Sequence, residues 1–346
     1  MFRRIHPFPV AVFLLTAAAV SEAAPAGTAP ESAPADEARA GDRGLVSTFS
    51  IVGRDGATGE MGIAVASRFF AVGSVVPWAE AGTGAVATQS FANTSFGWRG
   101  LELLRGGARP EEITEILVRN DEEPDRRQFG IVSADGTSAT YTGDRCIAWA
   151  GGRNGPNYAV QGNILAGESV VTAMEETFLG TEGTLADRLY AALLAGEAQG
   201  GDSRGKQSAA LLVVREEAGY GGFTDRAIDI RVDDHEEPFQ ELGRILRLAQ
   251  TNYSWNEAWT LFTQKEYAKA LPHMERTAGL SPESPEVLYD LAVIRLAAGD
   301  RDGAFEALTK SLAGNPKLAK QAGEDDDLAP FRGEDRFDRL IAKEGK

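Results

Sequence analysis

Nucleophilic and metal chemistry leans on a few residue types, and this chain is poor in two of them. It holds one cysteine, Cys146, and three histidines, His6, His235 and His273. A single cysteine allows no intramolecular disulfide and no cysteine zinc site, and so few histidines leave no ligand set for tetrahedral zinc. A Ser-His-Asp triad would have to use His235, because His6 falls in an N-terminal leader and His273 in a helical repeat. No Gly-rich phosphate loop carries a Lys, and Gly82-Thr83-Gly84 is too short to act as one. One hydrolytic chemistry needs no histidine. A Thr, Ser or Cys at a chain start has its own α-amine as base, with a pKa of about 8. Ser47, Thr48 and Ser50 lie on the first apolar strand, directly after a flexible stretch. A cut between Ser47 and Thr48 would make Thr48 the first residue of an ordered strand.

The elements around these residues begin with a leader. Arg3 and Arg4 precede an apolar run over 8–20, and Ser21-Glu22-Ala23 offers small residues where a signal peptidase reads them, so 1–23 is expected to be a secretory signal. The run is shorter than the roughly 20 residues a membrane span needs. The expectation is a periplasmic or secreted protein with no stable membrane insertion after cleavage. Residues 24–44, rich in Ala, Pro, Gly, Ser and Asp, read as a disordered linker. The 346 residues are 43% hydrophobic and 25% charged, enough for two domains with full cores. Fifty-one acidic against 35 basic residues give a net charge of −16, which argues against a nucleic-acid binder, since phosphate contacts need clustered Lys and Arg.

From residue 45 to 250 short apolar strands alternate with longer helical stretches. Strands are expected over 46–53, 61–70, 84–91, 128–133, 138–142, 146–150, 158–161, 208–215 and 227–232. Helices are expected over 98–106, 110–120, 170–178, 185–195 and 236–250, with Pro110 suited to a first helical turn. The order of strands, two helices, strands, two helices, strands points to sheets sandwiched between helix layers. After residue 250 the composition turns to Ala, Leu, Lys and Glu. Tyr267, Ala270, Leu280 and Pro282 are echoed about 34 positions on by Arg301, Ala304, Gly314 and Pro316. This resembles the tetratricopeptide repeat, although Ser254 and Ala258 replace the large and Gly residues favoured early in the first copy. The segment 324–340, with Leu328, Phe331, Phe337 and Leu340, is expected to close a helical domain spanning 251–346.

A longer set of motifs carries a second resemblance. Thr48-Phe49-Ser50-Ile51-Val52, Ala64-Val65-Ala66-Ser67-Arg68, Val76-Pro77-Trp78-Ala79, Ala87-Thr88-Gln89, Arg127-Gln128, Thr142-Gly143, Gln161-Gly162-Asn163, the run from Gly200 to Ala210 and Arg231-Val232-Asp233-Asp234-His235 occur in this order. Together they resemble the bacterial family called domain of unknown function 1028, which is grouped with the amino-terminal nucleophile hydrolases. The resemblance implies an α+β fold, a four-layer α-β-β-α sandwich, followed here by the small all-α repeat domain.

Set beside proteasome-type subunits, the segments imply roles. Thr48 falls at the nucleophile, Asn163 where an amide could hold the oxyanion, and Asp202 where an Asp supports the nucleophile. Those subunits carry a Lys that Pro77-Trp78-Ala79 lacks. Arg68 could supply positive field there, but Arg cannot give up a proton, so the base role falls on the α-amine. Gln89, Asn93, Arg204, Gln207 and Ser208 are the candidates to line the substrate cleft. Each residue also has a plain structural account: Thr48 as a β-branched strand residue, Asn163 as a turn cap, Asp202–Arg204 as an ion pair holding the Gly-rich turn, and Gln89 and Asn93 as helix caps. The resulting expectation is an exported amide-bond hydrolase with a small amide or peptide substrate and neither cofactor nor metal. Two alternatives stand beside it: a non-catalytic binding module whose repeats recruit a peptide or protein partner, and a serine hydrolase using His235.

Overall fold

The computed structural model describes residues 48–344. The expected secretory signal, linker and residue 47 lie outside the described residues.

The N-terminal part is a mixed α/β unit with two antiparallel sheets. Strands β1 (Thr48–Arg54), β2 (Met61–Ser67), β3 (Pro77–Glu80), β4 (Gly84–Ser90), β5 (Arg127–Ser133), β6 (Ser138–Thr142), β7 (Trp149–Gly155), β8 (Tyr158–Leu165), β9 (Ser208–Val214) and β10 (Arg226–Val232) carry them. One sheet runs β10-β9-β2-β1-β8-β7 and the other β3-β4-β5-β6. The pleat explains how β1 serves two layers, because successive side chains leave opposite faces. Phe49 and Ile51 join an apolar cluster with Val171, Met174, Phe178 and Leu189. These last four lie on helices α3 (Glu168–Gly180) and α4 (Leu185–Ala198), which cover the outside of the six-stranded sheet. Thr48, Ser50 and Val52 leave the other face, and Ser50 Oγ reaches across to Gln89 Oε1 of the four-stranded sheet at 2.6 Å. The outside of that sheet is closed by α1 (Ser95–Arg105) and α2 (Pro110–Arg119), whose Phe96, Leu101, Ile113 and Leu117 pack on Val86, Phe129 and Ile131.

Three strand expectations need correction. β3 was not anticipated: it is four residues long, opens on Pro77 and pairs only with β4, which suits a proline with no donor at a sheet edge. The strand expected over 146–150 lies instead at Trp149–Gly155, and Cys146 sits in a turn closed by its N–H to Gly143 O at 3.0 Å. That segment, Trp-Ala-Gly-Gly-Arg-Asn-Gly, has no apolar alternation, and its pairing with β8 makes it a strand. β8 runs to Leu165 rather than stopping at residue 161.

A helical region follows. Helix α5 (Pro238–Thr263) runs unbroken for 26 residues. Its start gives Phe239, Leu242 and Leu246 to the sheet cluster, and its end gives Ala258 to a second apolar cluster. Helices α6 (Tyr267–Leu280), α7 (Pro285–Ala297) and α8 (Arg301–Gly314) complete the repeats. Ala270 and Ala304 are both fully buried, as the 34-residue echo requires. Gly299 adopts a φ of 92° at the turn, and Asp300 Oδ1 accepts from Gly303 N at 3.0 Å to start α8. Ser254, where the first copy departs from the repeat pattern, donates to His273 O at 2.7 Å and is itself buried. Helix α9 (Leu318–Glu324), a 3-10 turn at Asp326–Phe331 and α10 (Asp335–Glu344) bring Leu328, Phe331 and Phe337 into the second cluster. Among the described residues no helix is long and apolar enough to cross a membrane.

Candidate functional site

Thr48 opens a central strand, and the register decides its neighbours. It lies opposite Asn163 of β8, while the Phe49–Ala66 pair of β2 brings Ser67 to its other side. The Thr48 hydroxyl donates to Ser67 Oγ at 3.3 Å. Thr48, Ser67 and Asn163 are all buried in the full-length chain.

Beneath them lies a polar layer between the sheets. Gln89, Gln128 and Gln161 are fully buried there, and their amides are satisfied by one another, by the backbone and by the hydroxyls of Ser50, Thr140 and Thr142. Gln128 Oε1 accepts from Asn163 Nδ2 at 2.8 Å and from Gln89 Nε2 at 2.9 Å, and Gln128 Nε2 donates to Gly162 O at 2.7 Å. Gln89 Nε2 also reaches Thr48 O at 3.3 Å, and Gln161 Nε2 donates to Ser50 Oγ at 2.7 Å. The network joins the backbone of Thr48 to the amide of Asn163 through two glutamines. Gly130 of β5 leaves room for it, since a Cβ there would stand 2.2 Å from Gln161 Oε1.

The loop before β9 supplies a charged flank. Asp202 is 4% exposed and bridges to Leu165. Its Oδ2 accepts the Arg68 backbone N–H at 3.0 Å and a guanidinium hydrogen of Arg204 at 3.0 Å, and its Oδ1 accepts from Arg204 N at 3.0 Å. Asp202 therefore fixes the backbone beside Ser67. Arg68 has an exposed side chain whose Nη1 donates to Arg204 O at 3.3 Å. Two non-glycine residues flank the group in the left-handed region, Ser90 at φ 67° and Ile164 at φ 53°. Such backbone costs of order 1–3 kcal/mol and gathers at functional sites.

The structure brings together Thr48, Asn163, Gln89, Asp202, Arg68 and Arg204. The other candidates are engaged elsewhere. Asn93 Nδ2 donates to Asp121 Oδ2 at 2.7 Å, and its Oδ1 accepts from Ser95 N at 3.1 Å, which ties the loop after β4 to the start of α1. Burial pushes the Asp121 carboxyl up, but hydrogen bonds from Arg127, Asn93 and the Glu123 backbone hold it below the ordinary value. Gln207 Nε2 donates to Asp234 Oδ1 at 3.0 Å, and only its backbone N–H touches the site, at Ser67 O, 3.0 Å. Ser208 is buried, donates to Phe69 O and accepts from Val72 N at 3.2 Å, so it secures the turn after β2. His235 is exposed, and its Nδ1 accepts from Glu237 N at 2.9 Å. Among the described residues no serine hydroxyl bonds its ring. The thiol of Cys146 is pushed up by burial and lies 3.5 Å from Ser90 Oγ.

Ser67 and Gln128 are the positions that reasoning on the sequence left without a role. The available signal was polar residues at inward positions of strands whose other inward residues are apolar, as at Gln89, Gln128 and Gln161.

Comparison with known proteins follows the same divide. A tetratricopeptide repeat model matches residues 261–322. A search of the curated proteins gives no match. Among solved structures, a crystal structure of a DUF1028 protein from Silicibacter pomeroyi is similar at 29% identity and a TM-score of 0.53, over 59% of this chain and 89% of that one. The model described as Family of unknown function (DUF1028) matches residues 48–242, which hold the two sheets and the whole Thr48 group, and the chain belongs to that family.

Proposed function

We propose that the chain is an exported amide-bond hydrolase in which removal of the segment before Thr48 turns its hydroxyl into an amino-terminal nucleophile. The observation that carries this reading is the Thr48 hydroxyl at the first residue of a central strand, within reach of Ser67 Oγ, with Asn163 opposite Thr48 on the neighbouring strand. In this reading the two sheets and their helices form a four-layer α-β-β-α sandwich of the amino-terminal nucleophile type. The freed α-amine takes the Thr48 Oγ1 proton, and Oγ1 attacks the amide carbonyl. Asn163 gives one amide hydrogen to Gln128 and its second to the developing oxyanion. The α-ammonium then returns the proton to the leaving amine, and water hydrolyses the resulting ester. Asp202 is a positioning residue that holds the Ser67–Arg68 backbone, and Arg68 adds positive field. The substrate class is a small amide or peptide met outside the cytoplasm.

Mass spectrometry of the mature protein tests this. A chain beginning at Thr48, inactive as Thr48→Ala, is expected. Active protein whose chain still begins at residue 24 would overturn it. The repeats favour a second reading, a binding module that recruits a protein partner through residues 261–322. Under that reading Thr48→Ala leaves partner capture and phenotype unchanged.

A further inference from the structure

The loop between β9 and β10 carries the two most exposed large apolar side chains among the described residues, Tyr220 at 82% and Phe223 at 90%. Its backbone is closed on itself. Gly219 N donates to Thr224 O at 2.7 Å, Gly222 N to Gly219 O at 2.9 Å, and Glu217 N to Asp225 Oδ1 at 3.1 Å. Gly221 at φ 65° and Gly222 at φ 75° fold the tip into a 3-10 turn that favours glycine. Two aromatic rings are thus held in water on a hydrogen-bonded frame, which removes part of the ordering cost of any contact they make.

Beside this ridge lies an open groove of about 650 Å³. One wall is five successive residues of β10, 226–230, on the edge strand of the six-stranded sheet. The other is one face of α5, where Ala249, Asn252, Asn256 and Thr260 recur at helical spacing. Residues 217–222 of the loop complete the lining, so ridge and groove share one face of the molecule. That face is at the far end of β9 from the Thr48 group. Ser208 pairs with Ser67, and Val214 lies six residues further on, roughly 20 Å away.

We propose that this face is a two-fold contact between copies of the chain, in which Tyr220 and Phe223 of each protomer enter the groove of its partner. An isologous contact needs a self-complementary patch, and a ridge beside a groove is one: a two-fold axis set between them seats both ridges at once. The area agrees. A buried aromatic side chain covers about 150–250 Å², so four cover about 600–1,000 Å², and the groove walls they hide bring the total to about 1,200–2,000 Å², the size of a stable interface. The side-chain amides of Asn252 and Asn256 stand in the wall for the Tyr220 hydroxyl, which needs a partner once out of water. A lipid surface fits less well, because Glu216, Glu217 and Asp225 flank the tip and would be pressed against headgroup phosphates. The contact is independent of the Thr48 chemistry.

Sedimentation velocity on the full-length protein, from about 1 µM to about 100 µM, tests the contact. A reversible dimer with a Kd of about 10 µM or tighter is expected. The double variant Tyr220→Ser/Phe223→Ser changes only exposed positions. It should keep the wild-type circular dichroism spectrum and weaken the dimer at least about a hundredfold, leaving monomer across the range. Asn256→Lys, at an exposed position of α5, puts a charge where a ring should sit and should also give monomer. Wild type that is monomeric at about 100 µM, a dimer that survives the loss of both rings, or an unchanged dimer in Asn256→Lys would each overturn the proposal. Binding of the tip to phosphatidylcholine vesicles in place of self-association, lost in the double variant, would overturn it in favour of a membrane wedge.

Discussion

Gln128 holds the residue-scale logic of the Thr48 group. Its single carbonyl oxygen accepts from both Asn163 and Gln89, so one side chain orients the proposed oxyanion donor and the support of the Thr48 backbone. Gln128→Leu keeps the approximate volume but orphans two buried donors, each costing about 1–3 kcal/mol. Urea unfolding should register a loss above about 2 kcal/mol; a loss under about 0.5 kcal/mol would mean the glutamine layer is not what joins these groups. Glu60 gives a pH signature at the same scale. Its folded carboxyl is raised by burial, so the folded chain holds that proton more tightly than the unfolded one. The stability this contributes is fully present below the unfolded carboxyl value of about 4.3 and is lost as pH rises through the raised value. Glu60→Gln removes the loss, and the variant should therefore gain Tm relative to wild type as pH climbs from about 4 to about 7. A difference in Tm that stays constant across that range would contradict it.

At the scale of elements, the sheet-to-sheet spacing is set where small residues face large polar ones. Gly130 of β5 faces Gln161 of β8, and a methyl group there has nowhere to go without moving a hydrogen-bonded amide. Gly130→Ala should cost about 1–3 kcal/mol by overpacking. Gly279, three-dimensionally open on α6 with nothing within 4 Å of an added Cβ, is the control. Gly279→Ala should be neutral or stabilising by up to about 1 kcal/mol, because Ala is the better helix former. Thermal unfolding of the two variants side by side checks the contrast, and a Gly130→Ala protein as stable as Gly279→Ala would refute the packing argument. The elements themselves were largely legible from the sequence. Apolar alternation marked β1, β2 and β4 to within a few residues, and the 34-residue echo placed α6 and α8. β3 escaped and β7 was placed too early because a four-residue proline strand and a glycine-rich strand carry little local signal, and pairing with β4 and β8 makes them strands.

On the scale of the whole molecule, α5 couples the two parts. One uninterrupted helix feeds the sheet cluster with Phe239, Leu242 and Leu246 and the repeat cluster with Ala258. Arg215 at the end of β9 is tied to Tyr253 and Glu257 on the same helix. A helix shared by two cores cannot melt in one without exposing apolar surface in the other. Calorimetry of the full-length chain should therefore give one cooperative transition, and a chain ending at Gln250 should melt lower than the full-length protein. Two well-separated transitions would show that the helix does not transmit stability between the cores.

The order of residues along the chain was sufficient to find the Thr48 strand, the repeats and the family, because periodicity and motif order are properties of local sequence. Which candidates meet was decided by tertiary register. Antiparallel pairing set Thr48 between Ser67 and Asn163, stacked three glutamines beneath them, and turned Asn93 and Ser208 toward nearby loops instead. The same holds for Glu60 and Arg215, which are 155 positions apart in sequence and neighbours only because β2 pairs with β9. Hydrogen-bonded register joins distant segments: the alternation within a strand says which side chains share a face, since a slip of one residue would send each to the opposite face, but it does not name the partner strand that meets them.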